Sequence, residues 1–314
     1  MDGSAVPLPV RMEDVTKRYR GARGIEHVDL EVLSGEVFAF LGPNGAGKTT
    51  TIRVLLDLIR PDCGIVRLFG LDPRRHGVEI RRRLGYLPGD LGLYEHLTGR
   101  ELLTHFAHLR RGPGWSEIGA LCDRFDLEVD KPIKALSKGN RQKVGLVQAL
   151  MGQPPLLILD EPTSGLDPLV QNQVHELIRA AARDGRTVFL SSHILSEVAR
   201  VADRVGIIRQ GAMLSVERVG DLRRKTVRYV DVRFASGSLP PELTVLPQVT
   251  VLPSRDGHIH LAVTGSLNPL VQVLAAHPVD DLLVREPDLE EVLFSVIGSG
   301  TALQPAGALV DVSS

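Results

Sequence analysis

The sequence predicts an α/β protein with a smaller α+β domain behind it, and three observations carry that reading. A glycine-rich stretch, Gly42-Pro43-Asn44-Gly45-Ala46-Gly47-Lys48-Thr49-Thr50, stands where the apolar run 35–41 gives way to apolar residues at helical spacing over 48–59. Two more apolar runs, 156–160 and 187–191, read as buried strands with polar side chains at their ends. Beyond Gly220 the pattern changes to short alternating runs. At 314 residues and 43% hydrophobic content, the chain is long enough for two domains with substantial cores.

Composition excludes several classes. Formal net charge is −1, and the arginines are scattered apart from Arg81-Arg82-Arg83 and Arg223-Arg224-Lys225, so binding to nucleic acid through bulk charge is not expected. Cys63 and Cys122 are too few for a disulfide framework or a zinc site, which fits a reducing cytosol. No run approaches the roughly 18 apolar residues of a spanning helix, and residues 1–9 lack the basic-then-apolar order of a signal peptide. A membrane role is expected to come through a partner.

In chain order, 10–19 and 25–32 alternate polar and apolar residues, as two half-buried strands joined around Gly21 and Gly24 would. The run 35–41 is a buried parallel strand bounded by glycines; a helix follows over 48–59 and stops before Pro61, and 64–69 is a strand. Residues 80–88 lead to a loop at Gly89-Asp90-Leu91-Gly92. Thr98-Gly99-Arg100-Glu101 has the spacing of a capping box, which starts a helix with Leu102, Leu103, Phe106 and Leu109 on its apolar face. Gly112-Pro113-Gly114 ends it, and 118–125 is a second helix. Ser137 suits the N-cap of a third, which carries Val144, Val147, Leu150 and Met151 and aims its positive end outward. Pro168 opens another helix after the loop 163–167. Downstream, 228–234 and 258–263 alternate like strands, 268–275 is helical, 280–285 is strand-like and 289–297 is an amphipathic helix.

The glycine-rich stretch reads as a phosphate cradle. Its glycines let backbone N–H groups turn inward around the β- and γ-phosphates, the helix N-terminus adds partial positive charge, Lys48 supplies a point charge, and Thr49 offers a hydroxyl to Mg²⁺. Paired acids at a strand end rarely serve packing. Asp160 is placed to hold a water on the Mg²⁺ that Thr49 ligates, and Glu161 to polarise an attacking water. Tyr19 presents an aromatic face that either stacks on a base or packs its strand.

Together these elements resemble the ATP-binding cassette ATPases over about residues 10–220: Gly42 to Thr50 as Walker A, Leu136 to Asn140 as signature loop, Leu157 to Glu161 as Walker B, Ser164 to Asp167 as D-loop and His193 as switch histidine. The resemblance implies a P-loop NTPase cassette with an antiparallel β subdomain and a helical subdomain. It implies that two cassettes, as a homodimer or a heterodimer, close head to tail on two ATP molecules, each held by Gly42, Pro43, Asn44, Gly45, Ala46, Gly47, Lys48, Thr49 and Thr50 of one copy and by Ser137 and Gly139 of the other. Asp167 and Tyr19 complete the implied nucleotide contacts, Lys48, Glu161 and His193 the implied catalytic set, and Thr49 and Asp160 the implied Mg²⁺ set. Two motifs depart from the family pattern. Lys138 and Asn140 stand where the commonest signature has glycine and glutamine, and Gly89 stands in place of the Q-loop glutamine; Asp90 then either is an ordinary residue of the Pro88-Gly89-Asp90 turn or offers its carboxylate as the substitute metal ligand.

The ending Pro287-Asp288-Leu289-Glu290-Glu291-Val292-Leu293-Phe294 is similar to the close of cassette subunits of the daunorubicin-exporter type. The expected domains are therefore a nucleotide-binding domain over 10–220, an α+β accessory domain over 225–298 and a flexible tail over 299–314. The implied function is the ATPase subunit of an exporter of drug, antibiotic or lipid-like cargo, held on the cytoplasmic face of the membrane by a separately encoded permease, with no nucleic-acid partner. Ions or polysaccharides are alternative cargoes. A soluble cassette acting on ribosomes or DNA is the alternative class; such proteins usually carry two cassettes, coiled-coil insertions or zinc insertions, which this chain lacks. A silent regulatory cassette is disfavoured because Lys48, Asp160 and Glu161 are all present.

Overall fold

Val37–Leu41 (β3) is buried at all five residues, which leaves it no place but the middle of a sheet. In the computed structural model, which describes residues 7–20, 22–110, 112–221, 227–255 and 258–285, the chain divides into two units, Met1–Asp221 and Leu222–Ser314.

In the first unit β3 lies in a six-stranded sheet with Leu84–Leu87 (β5), Leu156–Asp160 (β6), Thr187–Ser192 (β7), Arg204–Arg209 (β8) and Ala212–Arg218 (β9), in the order β5-β6-β7-β3-β8-β9. All neighbours are parallel except β8 and β9, a hairpin turning through Gln210 and Gly211, both at positive φ. Phe189 of β7 packs against the rings of both Phe38 and Phe40, with centroids 5.9 and 5.7 Å away, so the centre of the sheet is packed with aromatic side chains. Val10–Tyr19 (β1), Ala22–Val32 (β2) and Cys63–Leu68 (β4) form an antiparallel sheet of order β2-β1-β4, whose inward Val10, Met12, Val28 and Leu30 share a core with Phe40, Ile52 and Leu55. That core fixes Lys48–Leu55 (α1) against both sheets.

Helix α1 stops at Leu55 rather than at 59. Asp57 adopts a left-handed φ of 53°, and Leu58 N donates back to Arg53 O at 2.9 Å, which closes the helix end. Gly77–Arg82 (α2) precedes β5. Gly99–Arg110 (α3) starts on the expected capping box: Thr98 N donates to Glu101 Oε2 at 2.8 Å, and Glu101 N to Thr98 Oγ1 at 3.2 Å. Leu109 does not join the apolar face of α3; it is 66% exposed, and Ala107 takes the buried position. The contact of α3 with Lys138–Leu150 (α5) turns the Arg110 side instead toward that helix, where its guanidinium donates to Gln148 O at 3.2 Å. Trp115–Arg124 (α4), Pro168–Arg183 (α6) and Leu195–Val201 (α7) complete the unit. The strands β5, β8 and β9 escape sequence patterning because they are short and flanked or interrupted by arginines.

The second unit holds Val227–Phe234 (β10), Pro241–Thr244 (α8), Val249–Arg255 (β11), His258–Thr264 (β12), Asn268–Ala275 (α9) and Val279–Arg285 (β13), with an antiparallel sheet of order β11-β12-β10-β13. Val230, Val232, Leu261, Leu270 and Leu274 are among the residues that form its own core. Strand β11, which contains Pro253, is absent from the sequence reading. The linker 223–225, the helix 289–297 and the tail 299–314 lie outside the described residues.

One buried titratable group gives the first unit a pH dependence. Burial pushes the imidazole of His175, on the inner side of α6, below the ordinary histidine range; Glu197 opposes this, and Arg200 and Arg179 add to it. The folded chain then binds fewer protons than the unfolded chain at pH values below about 6.5, the unfolded histidine value. Stability is expected to fall as pH drops through that value. Urea midpoints at pH 7.5 and 5.5 check it, and His175→Leu should flatten the difference.

Candidate functional site

The end of β3 delivers the chain into a loop that only glycine can make at Gly42, where a Cβ would come within 2.4 Å of Ile208 O. Gly42 N donates to Ser192 O at 3.2 Å, so the loop starts from the tip of β7. Gly45 and Gly47 adopt φ of 77° and 110°, and Gly47 is the N-cap of α1 with no side-chain cap. The first N–H groups of α1 thus have no side-chain acceptor, and the space beside Gly45 is open. Asn44 is exposed, Pro43, Thr49 and Thr50 half-buried, and Ala46 buried. Lys48, with 6% of its side chain exposed, folds back over the loop; Nζ donates to Gly42 O at 2.6 Å and to Pro43 O at 3.3 Å.

Two carboxylates close the other side. Asp160, the last residue of β6, is fully buried, and both of its oxygens accept from hydroxyls: Oδ2 from Thr49 at 2.8 Å, Oδ1 from Ser191 at 2.5 Å. Ser191 Oγ in turn accepts from Glu161 N at 2.9 Å. Glu161 has a left-handed φ of 50°, which swings its side chain off the strand line. Its Oε2 accepts from His193 Nδ1 at 2.8 Å, and its buried Oε1 has no hydrogen bond but faces Lys48 Nζ at 3.2 Å. Gln142, on α5, donates through Nε2 to Glu161 O at 3.3 Å and Pro162 O at 3.1 Å. Burial, with the charge of Asp160 adding to it, pushes the Tyr86 phenol up to about 12, so it stays neutral beside the acids.

The remaining candidates sit apart from this cluster. Ser137 caps α5, accepting from Asn140 N at 3.2 Å, and a Cβ on Gly139 would lie 3.2 Å from Gly165 O, so this segment borders the 163–167 loop. The stem of Lys138 covers Gly165, which has φ 74°. Asp167 caps α6 through Leu169 N and Val170 N, both at 3.0 Å. Tyr19 stands at the end of β1 with 39% of its surface exposed and Lys17 Nζ 6.0 Å from its ring, not sealed into the sheet. Gly89 passes so close to Asp160 that a Cβ would lie 2.9 Å from Oδ2, whereas Asp90 is exposed and makes no hydrogen bond to Asp160 or Thr49. The sequence reading missed Ser191 and Gln142 as site residues. The signal was a hydroxyl in a buried apolar run and an amide on a buried helix face.

The arrangement suits an anionic, polyphosphate ligand: unsatisfied helix N–H groups, a buried ammonium and an open glycine loop on one side, two carboxylates on the other. Thr49 and Asp160 are hard oxygen donors, suited to Mg²⁺. Among the described residues no group of three or more His, Cys, Asp or Glu side chains could hold a metal alone, so a divalent cation fits here only with phosphate oxygens and water completing its shell. Among the described residues no helix is long and apolar enough to cross a membrane.

Comparison with known proteins places the chain. The family model described as ABC transporter matches residues 25–164. The bacitracin transport ATP-binding protein BcrA of Bacillus licheniformis is 34% identical over 303 residues, 93% of this chain and 98% of the relative. The daunorubicin resistance ATP-binding protein DrrA3 of Streptomyces coeruleorubidus is 32% identical over 310 residues, 95% and 98% of the two chains. A solved structure described as the ATP binding subunit of an ABC transporter aligns with a TM-score of 0.63 and 33% identity over 69% of this chain and 92% of that one. A dimeric ATP-binding cassette described as bound to ADP and Pi in a post-hydrolysis state, 24% identical, shares the fold with a TM-score of 0.61 over 67% and 98%.

Because one hydroxyl serves two buried groups, Ser191→Ala should leave both Asp160 Oδ1 and Glu161 N without that partner. The expected loss is about 2–3 kcal/mol of unfolding free energy, the scale for unsatisfied buried polar groups, measured by urea denaturation. A midpoint equal to that of the native chain would mean the two contacts contribute nothing.

Proposed function

The chain belongs to the ABC transporter family of ATP-binding, ATP-hydrolysing cassettes, and on that premise we propose that it energises an exporter whose membrane permease is a separate chain. The observation that carries this is the convergence of Lys48 and Thr49 from the start of α1, Asp160 and Glu161 from the end of β6 and His193 from just beyond β7 on one open glycine loop. The cargo class is drug or antibiotic, since full-length relatives are named for bacitracin transport and daunorubicin resistance. The chain acts at the cytoplasmic face of the membrane, where the permease holds it.

In this mechanism the β- and γ-phosphates of ATP enter the loop of residues 42–50, and Tyr19 stacks on the adenine. Lys48 leaves Glu161 Oε1 for the phosphates, because an ammonium binds a polyphosphate more strongly than one carboxylate. Thr49 and Asp160 would hold Mg²⁺ together with phosphate oxygens, and the ion would supply neutralisation of the charge that develops on the transferred group. Asp90, exposed beside Gly89, would be the residue to offer that ion a further carboxylate oxygen. Freed from Lys48, Glu161 orients and deprotonates the attacking water, with His193 holding its other oxygen. A second cassette contributes Ser137 and Gly139, with Asp167 beside them, to each nucleotide. Closure and reopening of the pair drive the permease.

Affinity purification of the chain from detergent-solubilised membranes tests the transporter assignment: a polytopic membrane protein is expected to co-purify, and recovery with ribosomes instead would overturn it. Glu161→Gln is expected to retain ATP binding and to lower turnover by about 10²-fold or more, given that a positioned base contributes about 10²–10⁴; unchanged turnover removes Glu161 from the chemistry. Lys48→Ala and Ser137→Arg should each inactivate a homodimer, while the isolated heterodimer of the two should trap nucleotide at one site. Trapping at neither site would refute the head-to-tail arrangement.

A further inference from the structure

Glu161 reaches its partners only because its backbone is left-handed, at φ 50°, a region that a residue with a side chain occupies only when its surroundings hold it there. Three groups hold it. Ser191 Oγ takes its N–H at 2.9 Å, and its carbonyl accepts from Ser164 N at 3.1 Å and from Gln142 Nε2 at 3.3 Å. Ser191 is on the neighbouring strand and Ser164 three residues along the same loop. Gln142 comes from elsewhere: it is on α5, one helical turn beyond Gly139, and 5% exposed. Its second bond, 3.1 Å to Pro162 O, grips the next peptide, so one buried amide spans the two carbonyls that follow the bend.

An apolar side chain of the same volume would fill this space without the penalty of burying an amide, so the choice of glutamine points to its hydrogen bonds. We propose that Gln142 is a positioning residue for ATP hydrolysis, holding the main chain of Glu161 in its left-handed conformation and tying the position of that carboxylate to helix α5. The helix that carries Ser137 at its N-cap is thereby joined, through a single side chain, to the base of its own chain. A displacement of α5 that stretches these two bonds releases Glu161 toward ordinary backbone geometry and away from His193 and Lys48. The inference rests on the reading of Glu161 as the base.

The test uses the full chain with Gln142→Met, which keeps the volume and loses the donors, and Gln142→Ala, which loses both. Steady-state ATP hydrolysis, ADP binding by calorimetry and thermal unfolding are measured for each, alone and combined with Glu161→Gln. The expected result is kcat lowered about tenfold, equivalent to about 1.4 kcal/mol, with KM for ATP and Kd for ADP unchanged, and no further loss in the Glu161→Gln background. Native kcat in either variant overturns the proposal, as does an equal fold-loss in both backgrounds, a parallel rise in Kd for ADP, or failure of both variants to fold, which would make the amide structural. Absence of ATP turnover in the native chain would instead refute the assignment of Glu161, and so separates the two failures.

Discussion

The site depends on a charged carboxylate placed where water does not reach. Asp160 ends a strand whose five residues are all buried, so its two oxygens must find donors inside the protein or the fold is penalised by the desolvation of an anion. Thr49 and Ser191 provide them. That requirement ties three structural pieces together: β6 brings the acid, α1 the threonine and β7 the serine. The parallel order of β6, β7 and β3 places these ends side by side, because the strands share direction and their carboxyl ends open on one edge. At the next residue the chain turns, and the positive φ of Glu161 is held by Ser191, Ser164 and Gln142 on its N–H and carbonyl.

How much of this was legible in the sequence follows from the range of the forces involved. The glycine loop, the strand ends and the N-caps at Thr98 and Ser137 are local features, set by steric freedom and by hydrogen bonds spanning three residues, and the sequence carries them directly. The helix end at Asp57 was misjudged because a left-handed aspartate looks like any polar residue until the chain is seen to close on Arg53. Leu109 was misjudged because the contact with α5 decides which side of α3 is buried. Gln142 and Ser191 were invisible for a related reason: their partners lie about 20 and 30 residues away, and only the assembled sheet brings them together.

The departures at Gly89 and Lys138 have physical counterparts. Position 89 lies against the carboxylate of Asp160, and a side chain there would have to begin 2.9 Å from an oxygen already committed to Thr49. Glycine keeps the approach close without disturbing that bond. At 138, a lysine replaces a residue without a side chain, and its stem lies on Gly165, so that the start of α5 and the loop before α6 share a contact that glycine could not make.

The 3.2 Å contact between Lys48 and Glu161 bears on which anions the glycine loop accepts. A lysine buried without a partner would attract any small anion, chloride and inorganic phosphate included. With a carboxylate opposite, the ammonium of Lys48 already has an anionic partner, and a phosphate that takes it does so by exchange, one anion displacing another. A singly charged ion gains little from such an exchange, while a chain of linked phosphates gains at several points at once. The pair thus favours ligands that deliver several linked negative charges together.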